Sequence, residues 1–317
     1  MPTFSTLTFE EHVVIWAAVD LPTLLVLRSC SHNALTVVGE VLRASVSLLC
    51  RQFLDDTAAF LQELSHCRGV IGGQVAVRFM LRDLPFVPES LEVYVPPDVH
   101  LEMQRHLLDT HHMTLLVSFD SPENADEAWL ADHALHYTDV LRTQQGRTII
   151  LHRCSEAEPL AAVACAPTSA EVTYVSPEGF GTAYPALLFQ HRALVADWAH
   201  DDRNIGALLD WRRRRGIDLR MAARVWPEYR GMYCAAAKWV CHTQPRTFTD
   251  GGALAVRFSP LQGPREESTV MWRLDGRPCG GSCLHVEDAH GQKLYKYTIL
   301  VEDGEEYRWS YQHRFVL

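Results

Sequence analysis

Between Gly69 and Pro97 the spacing of apolar residues changes character twice, and that change narrows the folds open to the chain. Gly69 to Gly73 reads as a turn, and Gln74 to Leu81 has the spacing of a short helix. Leu91 to Val95 (LEVYV) is a β-rich run stopped by Pro96 and Pro97. A helix that buries one stripe next to a strand that buries one face calls for helices packed on a sheet. The flanks extend the pattern. Upstream, Leu21, Leu24 and Leu25 lead into Leu35, Val38, Val41 and Leu42 at helical spacing, with Pro22 suited to a first turn. Leu48, Leu49, Phe53, Phe60, Leu61 and Leu64 follow, interrupted at Asp55 and Asp56, where Asp caps a helix starting at Thr57. Downstream, a helix is expected over Val99 to Leu108, and strands at MTLLVSF from Met113 and TIILH from Thr148, the latter after a turn at Gln145-Gly146. From Pro185 the pattern predicts helix through Leu209 and WRRRRG. From Phe248 the runs ALAVRF, STVMWRL, KLYKYTILV and YRWSYQHRFVL predict antiparallel strands. The expected architecture is α+β: a helical segment over 1–67, a mixed α/β core over 68–200, and a C-terminal helical and antiparallel β region over 201–317.

Composition enters at three points. With 317 residues, 47% of them hydrophobic and 21% charged, the chain can bury a sizeable core and is neither disordered nor fibrous. Its net charge of -10 argues against nucleic-acid binding over the whole surface. The first residues carry acids rather than bases before their apolar stretch, and no apolar run approaches the about 18 residues of a membrane span. A cytoplasmic or nuclear location without membrane contact is therefore expected. Nine cysteines fit that compartment. Cys30, Cys50, Cys67, Cys154 and Cys165 are scattered among apolar neighbours and read as reduced, buried thiols.

The stretch GVIGGQVAVRFMLRDLPFVPESLEVYVPP resembles a nucleotidyltransferase-like family of mushroom-forming fungi. In that family a Gly-Gly or Gly-Ser pair opens a short helix and a strand of the form Asp-Leu-Asp-Ile-Tyr-Val-Pro follows. TIILH, GFGTAYPAL, RRRGIDLR and MWRLDGRPC continue the likeness in order. The resemblance implies a polymerase-beta-type fold with a nucleotide as ligand and Mg²⁺ or Mn²⁺ as its companion.

The chemistry of that layout needs two carboxylates two residues apart on one strand, so that both face one Mg²⁺-triphosphate. It also needs glycines that bring backbone N–H groups close to phosphate. Gly72 and Gly73 match the glycines. The strand reads Ser90-Leu91-Glu92 where Asp-Leu-Asp is expected, so Glu92 is the one candidate catalytic carboxylate and Ser90 stands in the nucleotide-binding row with the glycines. The third carboxylate's strand, TIILH, offers His152. A degenerate core that binds nucleotide or regulates, without ordinary two-metal catalysis, is the leading expectation. An active transferase that modifies a protein or small molecule is the alternative.

Other constellations carry weaker expectations. Asp20, Leu21, Pro22, Leu24, Leu25 and Leu27 resemble the second half of an F-box, which implies a protein partner through the N-terminal helices, as in a ubiquitin-ligase adaptor. A plain helical pair packed on the core is the stronger reading of the same residues. Arg212 to Arg215 precede Gly216 and suit a helix C-terminus, where cations are favourable, or a phosphate contact. His106, His111, His112, His133 and His136 lack any metal-ligand spacing and read as surface or loop histidines. Cys234, Cys241, Cys279 and Cys283 form two pairs with which one structural Zn²⁺ could be held, or they are buried free thiols.

Overall fold

The computed structural model describes residues 8–120, 134–196, 206, 213–232, 237–259, 268, 270–274, 298–299 and 308–309. The chain starts as a cluster of capped helices. Thr8 and Glu11 form a reciprocal capping box at α1 (Phe9–Ala17). Asp20 caps α2 (Leu21–Ser29), with Pro22 in its first turn. Ser31 caps α3 (His32–Cys50), and Asp56 caps α4 (Thr57–His66) through a 2.9 Å bond from Ala59 N–H. α3 is the spine of this cluster. Val37, Val38, Val41, Leu42, Val46 and Cys50 bury its inner stripe, and a Cβ on its Gly39 would overlap the carbonyl oxygen of Phe258, so the helix touches backbone there. By length and composition α3 could cross a membrane, and 44% of its apolar window is buried in the fold. That corrects the reading that no segment approaches spanning length. Glu40 and Arg43 interrupt the apolar run in sequence, but the average over the helix stays high.

Leu21 and Leu24 of the F-box-like stretch are buried, Leu25 is packed partly against the core, and Pro22 is exposed. These leucines are therefore part of the molecule's own interior.

A mixed sheet of eight strands follows, which with the helices makes the fold α+β. In chain order the strands are β1 (Val70–Gly72), β2 (Ser90–Val95), β3 (Thr114–Asp120), β4 (Leu135–Arg142), β5 (Thr148–Cys154), β6 (Thr173–Val175), β7 (Gly179–Thr182) and, much later, Leu254–Arg257. Their spatial order is Leu254–Arg257, β7, β6, β1, β2, β5, β4, β3. β2 and β5 run parallel, with Ser90 opposite Thr148 and Tyr94 opposite His152; the other pairings are antiparallel. The helix α5 (Gly73–Met80) connects β1 to β2 and packs on both, and α6 (His100–Asp109) packs against β5 and α4.

Register divides the centre of this sheet into two faces. Leu91, Val93, Val95, Ile149, Leu151 and Leu141 are fully buried. Ser90, Glu92, Tyr94, Ile150 and His152 alternate with them on the other face.

Three sequence expectations are corrected. β4 was not anticipated, because Asp139 stands in its middle on the buried face and hides the alternation. The carboxylate is fully buried and accepts bonds from Ser118 Oγ at 2.6 Å and Gln104 Nε2 at 2.7 Å, with His100 Nε2 at 3.4 Å. After Pro185 the expected continuous helix is interrupted: it ends at Leu188, His191 takes φ 55°, and Arg192–Leu194 forms β8, paired in parallel with β9 (Asp218–Arg220), while Gly206, Arg213 and Arg214 are helical as expected. Cys30 is exposed just beyond α2, whereas Cys50, Cys67, Cys154 and Cys165 are buried as expected.

In the C-terminal third, β10 (Arg246–Thr247) pairs with Met271–Trp272, and Thr298–Ile299 pairs with Arg308–Trp309, both antiparallel. The strand β11 (Leu254–Arg257) pairs with β7 and so extends the central sheet. Arg246 secures this junction. Its side chain is fully buried, forms an ion pair with Asp250 at 2.6 Å, donates to the carbonyls of Trp239 and Ala183, and lies 4.5 Å above the Tyr184 ring.

Candidate functional site

The Gly72–Gly73 turn joins β1 to α5 and faces β2. Gly72 pairs with Glu92 across the antiparallel β1–β2 ladder, which places the end of β1 beside the middle of β2. Gly73 then starts the helix with φ 56°, a left-handed conformation that favours glycine. Each glycine leaves room for one side chain of β2. A Cβ on Gly72 would stand 2.6 Å from Cε2 of Tyr94, and a Cβ on Gly73 would overlap the Glu92 carboxylate. The ring and the carboxylate therefore rest against bare backbone, and the negative charge lies at the first residue of α5, where the helix dipole favours an anion.

From Glu92 a polar row runs across the sheet. Tyr94 O–H donates to Glu92 Oε2 at 3.1 Å. The Tyr94 ring stacks on His152, with centroids 4.6 Å apart and planes 23° from parallel. His152 Nδ1 lies 3.0 Å from Thr138 Oγ1 on β4. Burial, together with the charge of Glu92 and the bond to it, holds the Tyr94 phenol well above its ordinary value of 10. It is therefore a hydrogen-bond donor throughout the physiological range. Ser90 is buried two residues before Glu92, on the same face.

Beside Ser90 lies a second polar group. Gln74 Oε1 accepts the N–H of Glu89 at 2.9 Å, and the Glu89 carboxylate pairs with Arg215 at 2.9 Å. The Arg215 guanidinium also lies 4.9 Å from the Phe86 ring. Of the arginine run, Arg215 is thus held by neighbours at the α5–β2 entrance. Burial lowers its pKa, and Glu89 opposes that shift.

The four residues singled out from the sequence, Gly72, Gly73, Ser90 and Glu92, meet at one place. Sequence reasoning missed Tyr94 and Thr138 and saw His152 only as a substitute. The signal available was alternation: Tyr94 is two residues from Glu92, and it shares a face with His152 once β2 and β5 are paired. Among the described residues of this face, Glu92 supplies a carboxylate, and His152 stands opposite Tyr94 on β5. Among the described residues no group of three or more His, Cys, Asp or Glu side chains could hold a metal ion. Of the cysteines considered for zinc, Cys241 is buried with its Sγ 3.1 Å from Thr243 Oγ1, and Cys234, Cys279 and Cys283 lie outside the described residues.

A groove of about 530 Å³ opens at the other end of β1, lined by Ser65, Arg68, Ser176, Glu178 and Arg257 among others. None of the four site residues lines it. Comparisons with protein-family models, with curated proteins and with solved structures find no match to this chain.

Proposed function

We propose that this chain is a nucleotide-binding or regulatory protein built on a degenerate nucleotidyltransferase-type core, and that it does not perform ordinary two-metal nucleotidyl transfer. The observation that carries this reading is the placement of the Glu92 carboxylate against Gly73 at the start of α5. A glycine turn opening a helix beside a strand carboxylate is the arrangement such a core needs to bring phosphate close to backbone N–H groups. Here the carboxylate itself occupies that position, and Tyr94 holds it there. Glu92 then serves as an internal anion at the phosphate position, and a nucleotide enters by displacing it. The single carboxylate and the His152–Tyr94 stack supply recognition surfaces and too few ligands for catalysis by two metals.

The test is calorimetry with ATP, GTP, CTP and UTP, with and without Mg²⁺ or Mn²⁺, on the natural chain and on Glu92→Gln. Removing the internal charge while keeping the shape raises nucleotide affinity if Glu92 and phosphate compete. Binding that does not depend on the divalent ion, and that strengthens in Glu92→Gln, is the expected result. Two findings overturn the proposal: no nucleotide binding by either protein, or metal-dependent release of pyrophosphate that Glu92→Gln abolishes. The second would establish the active-transferase alternative.

A further inference from the structure

We propose that His106 and His111 form a two-imidazole site for a divalent first-row transition-metal ion, of the class of Ni²⁺, Cu²⁺ and Zn²⁺. His106 lies in the last turn of α6, and His111 follows the C-cap Thr110 where that helix ends. His112 takes φ 51° and Met113 N–H donates to the Leu107 carbonyl at 3.3 Å, which keeps the chain against the final turn of α6. The ring of His111 meets Phe60 of α4 edge to face, with centroids 6.3 Å apart, so α4 supports its orientation.

The two Nε2 atoms stand 3.2 Å apart, and the ring centroids are 5.0 Å apart with planes at 75°. Metal–nitrogen bonds of about 2.0–2.1 Å at a tetrahedral angle place two imidazole nitrogens about 3.3 Å apart and their rings about 5.2 Å apart. Both observed spacings lie close to those values. A straight N–H···N hydrogen bond would leave the centroids about 5.5 Å apart at the same nitrogen separation. The rings are bent relative to one another; the two nitrogens share one bent N–H···N hydrogen bond, which an ion held by both Nε2 atoms would replace.

The protonation state suits ligation. Burial lowers the pKa of His111, and His106 and His112 add to that effect against Asp56 and Asp55. The neutral imidazole that binds metal is accordingly favoured at His111. With two protein ligands, the remaining positions belong to water or to a small ligand. The site therefore exchanges its metal rather than holding the fold together. Imidazole pairs of this kind favour Cu²⁺, Ni²⁺ and Zn²⁺ over Mg²⁺ and Ca²⁺.

The experiment uses the full chain, stripped with chelator and desalted, titrated with Ni²⁺ by calorimetry at pH 7.5. The natural protein is expected to bind one equivalent more tightly, by about a hundredfold, than His106→Ala or His111→Ala, because a second preplaced ligand acts at high effective concentration. His32→Ala, a change at an exposed histidine in the first turn of α3, is expected to leave that affinity unchanged. His111→Gln keeps a hydrogen-bonding side chain and is expected to lose binding as His111→Ala does. Equal affinity in the natural chain and in either alanine variant overturns the proposal. Should a variant fail to fold, Cu²⁺ bound to the natural chain decides: the spin-resonance spectrum shows coupling to two nitrogens if the pair is a site, and coupling to fewer overturns it.

Discussion

Replacing Gly73 with Ala tests whether the start of α5 is shaped around Glu92. Two costs add in the folded state. A Cβ in the left-handed conformation at φ 56° costs about 1–2 kcal/mol. The same Cβ overlaps the Glu92 carboxylate, which must leave and give up its bond from Tyr94 O–H at 3.1 Å. A hydrogen bond to a charged group is worth about 1.5–3 kcal/mol net, and a half-buried position places this one at about 1–1.5 kcal/mol. Gly73→Ala is therefore expected to destabilise by about 2–3.5 kcal/mol. In a Glu92→Ala background the overlap is gone, and the same change is expected to cost about 1–2 kcal/mol. Urea unfolding of the four proteins of this cycle measures the difference, with constant slopes confirming that the unfolded ensemble is unchanged. A coupling of about 1–1.5 kcal/mol is expected. If Gly73→Ala costs the same in both backgrounds to within about 0.5 kcal/mol, the two residues do not share that space and the account of the turn is wrong.

The remaining predictions concern other parts of the fold. Asp250→Ala leaves the buried Arg246 charge without its carboxylate and is expected to destabilise by about 3–5 kcal/mol in thermal or urea unfolding; a cost near zero would show that Arg246 reaches water. Burial pushes the Asp139 carboxyl up, but the nearby His100 imidazole at 3.4 Å and bonds from Ser118 and Gln104 outweigh it and hold its pKa below the ordinary 3.8. The resulting stabilisation is present above that ordinary value and is lost as pH falls through the lower folded value. Urea unfolding between pH 7 and pH 2 should thus show a shallower acid loss in Asp139→Asn than in the natural chain, and parallel curves would refute the assignment. Among Cys30, Cys50, Cys67, Cys154, Cys165 and Cys241, mass spectrometry after brief alkylation of the native protein should find Cys30 modified first. Cys30 is exposed, whereas burial raises the thiols of Cys50 and Cys67 to about 12. Equal labelling of Cys50 would show that the helical cluster opens readily.

Much of the local architecture was readable because its causes are local. Asp56 before Thr57, Pro22 in a first turn and Gly72-Gly73 before an apolar stripe each act within a few residues, and α4, α2 and α5 begin where those signals stand. The meeting of Gly72, Gly73, Ser90 and Glu92 also followed from order along the chain, since β1, α5 and β2 are consecutive. β4 escaped because the polar Asp139 faces inward, and it does so because His100, Gln104 and Ser118 come from other elements to meet it. A pattern of apolar alternation cannot reveal a buried position whose cost is offset by partners distant in sequence.

The arrangement that gives the site its character depended on tertiary structure. Tyr94 stacks on His152, and Arg215 reaches Glu89, because strand register and chain return bring together residues from separate segments. The His106–His111 convergence required both the bond from Met113 N–H to the Leu107 carbonyl and the support of Phe60 from α4. By itself the sequence determined the residue types, the helix starts and the alternating faces, since these follow from backbone sterics and capping over a few residues. Tertiary packing decided which side chain occupies the start of α5, because Glu92 and Gly73 compete for one volume that exists only after β1 and β2 have paired.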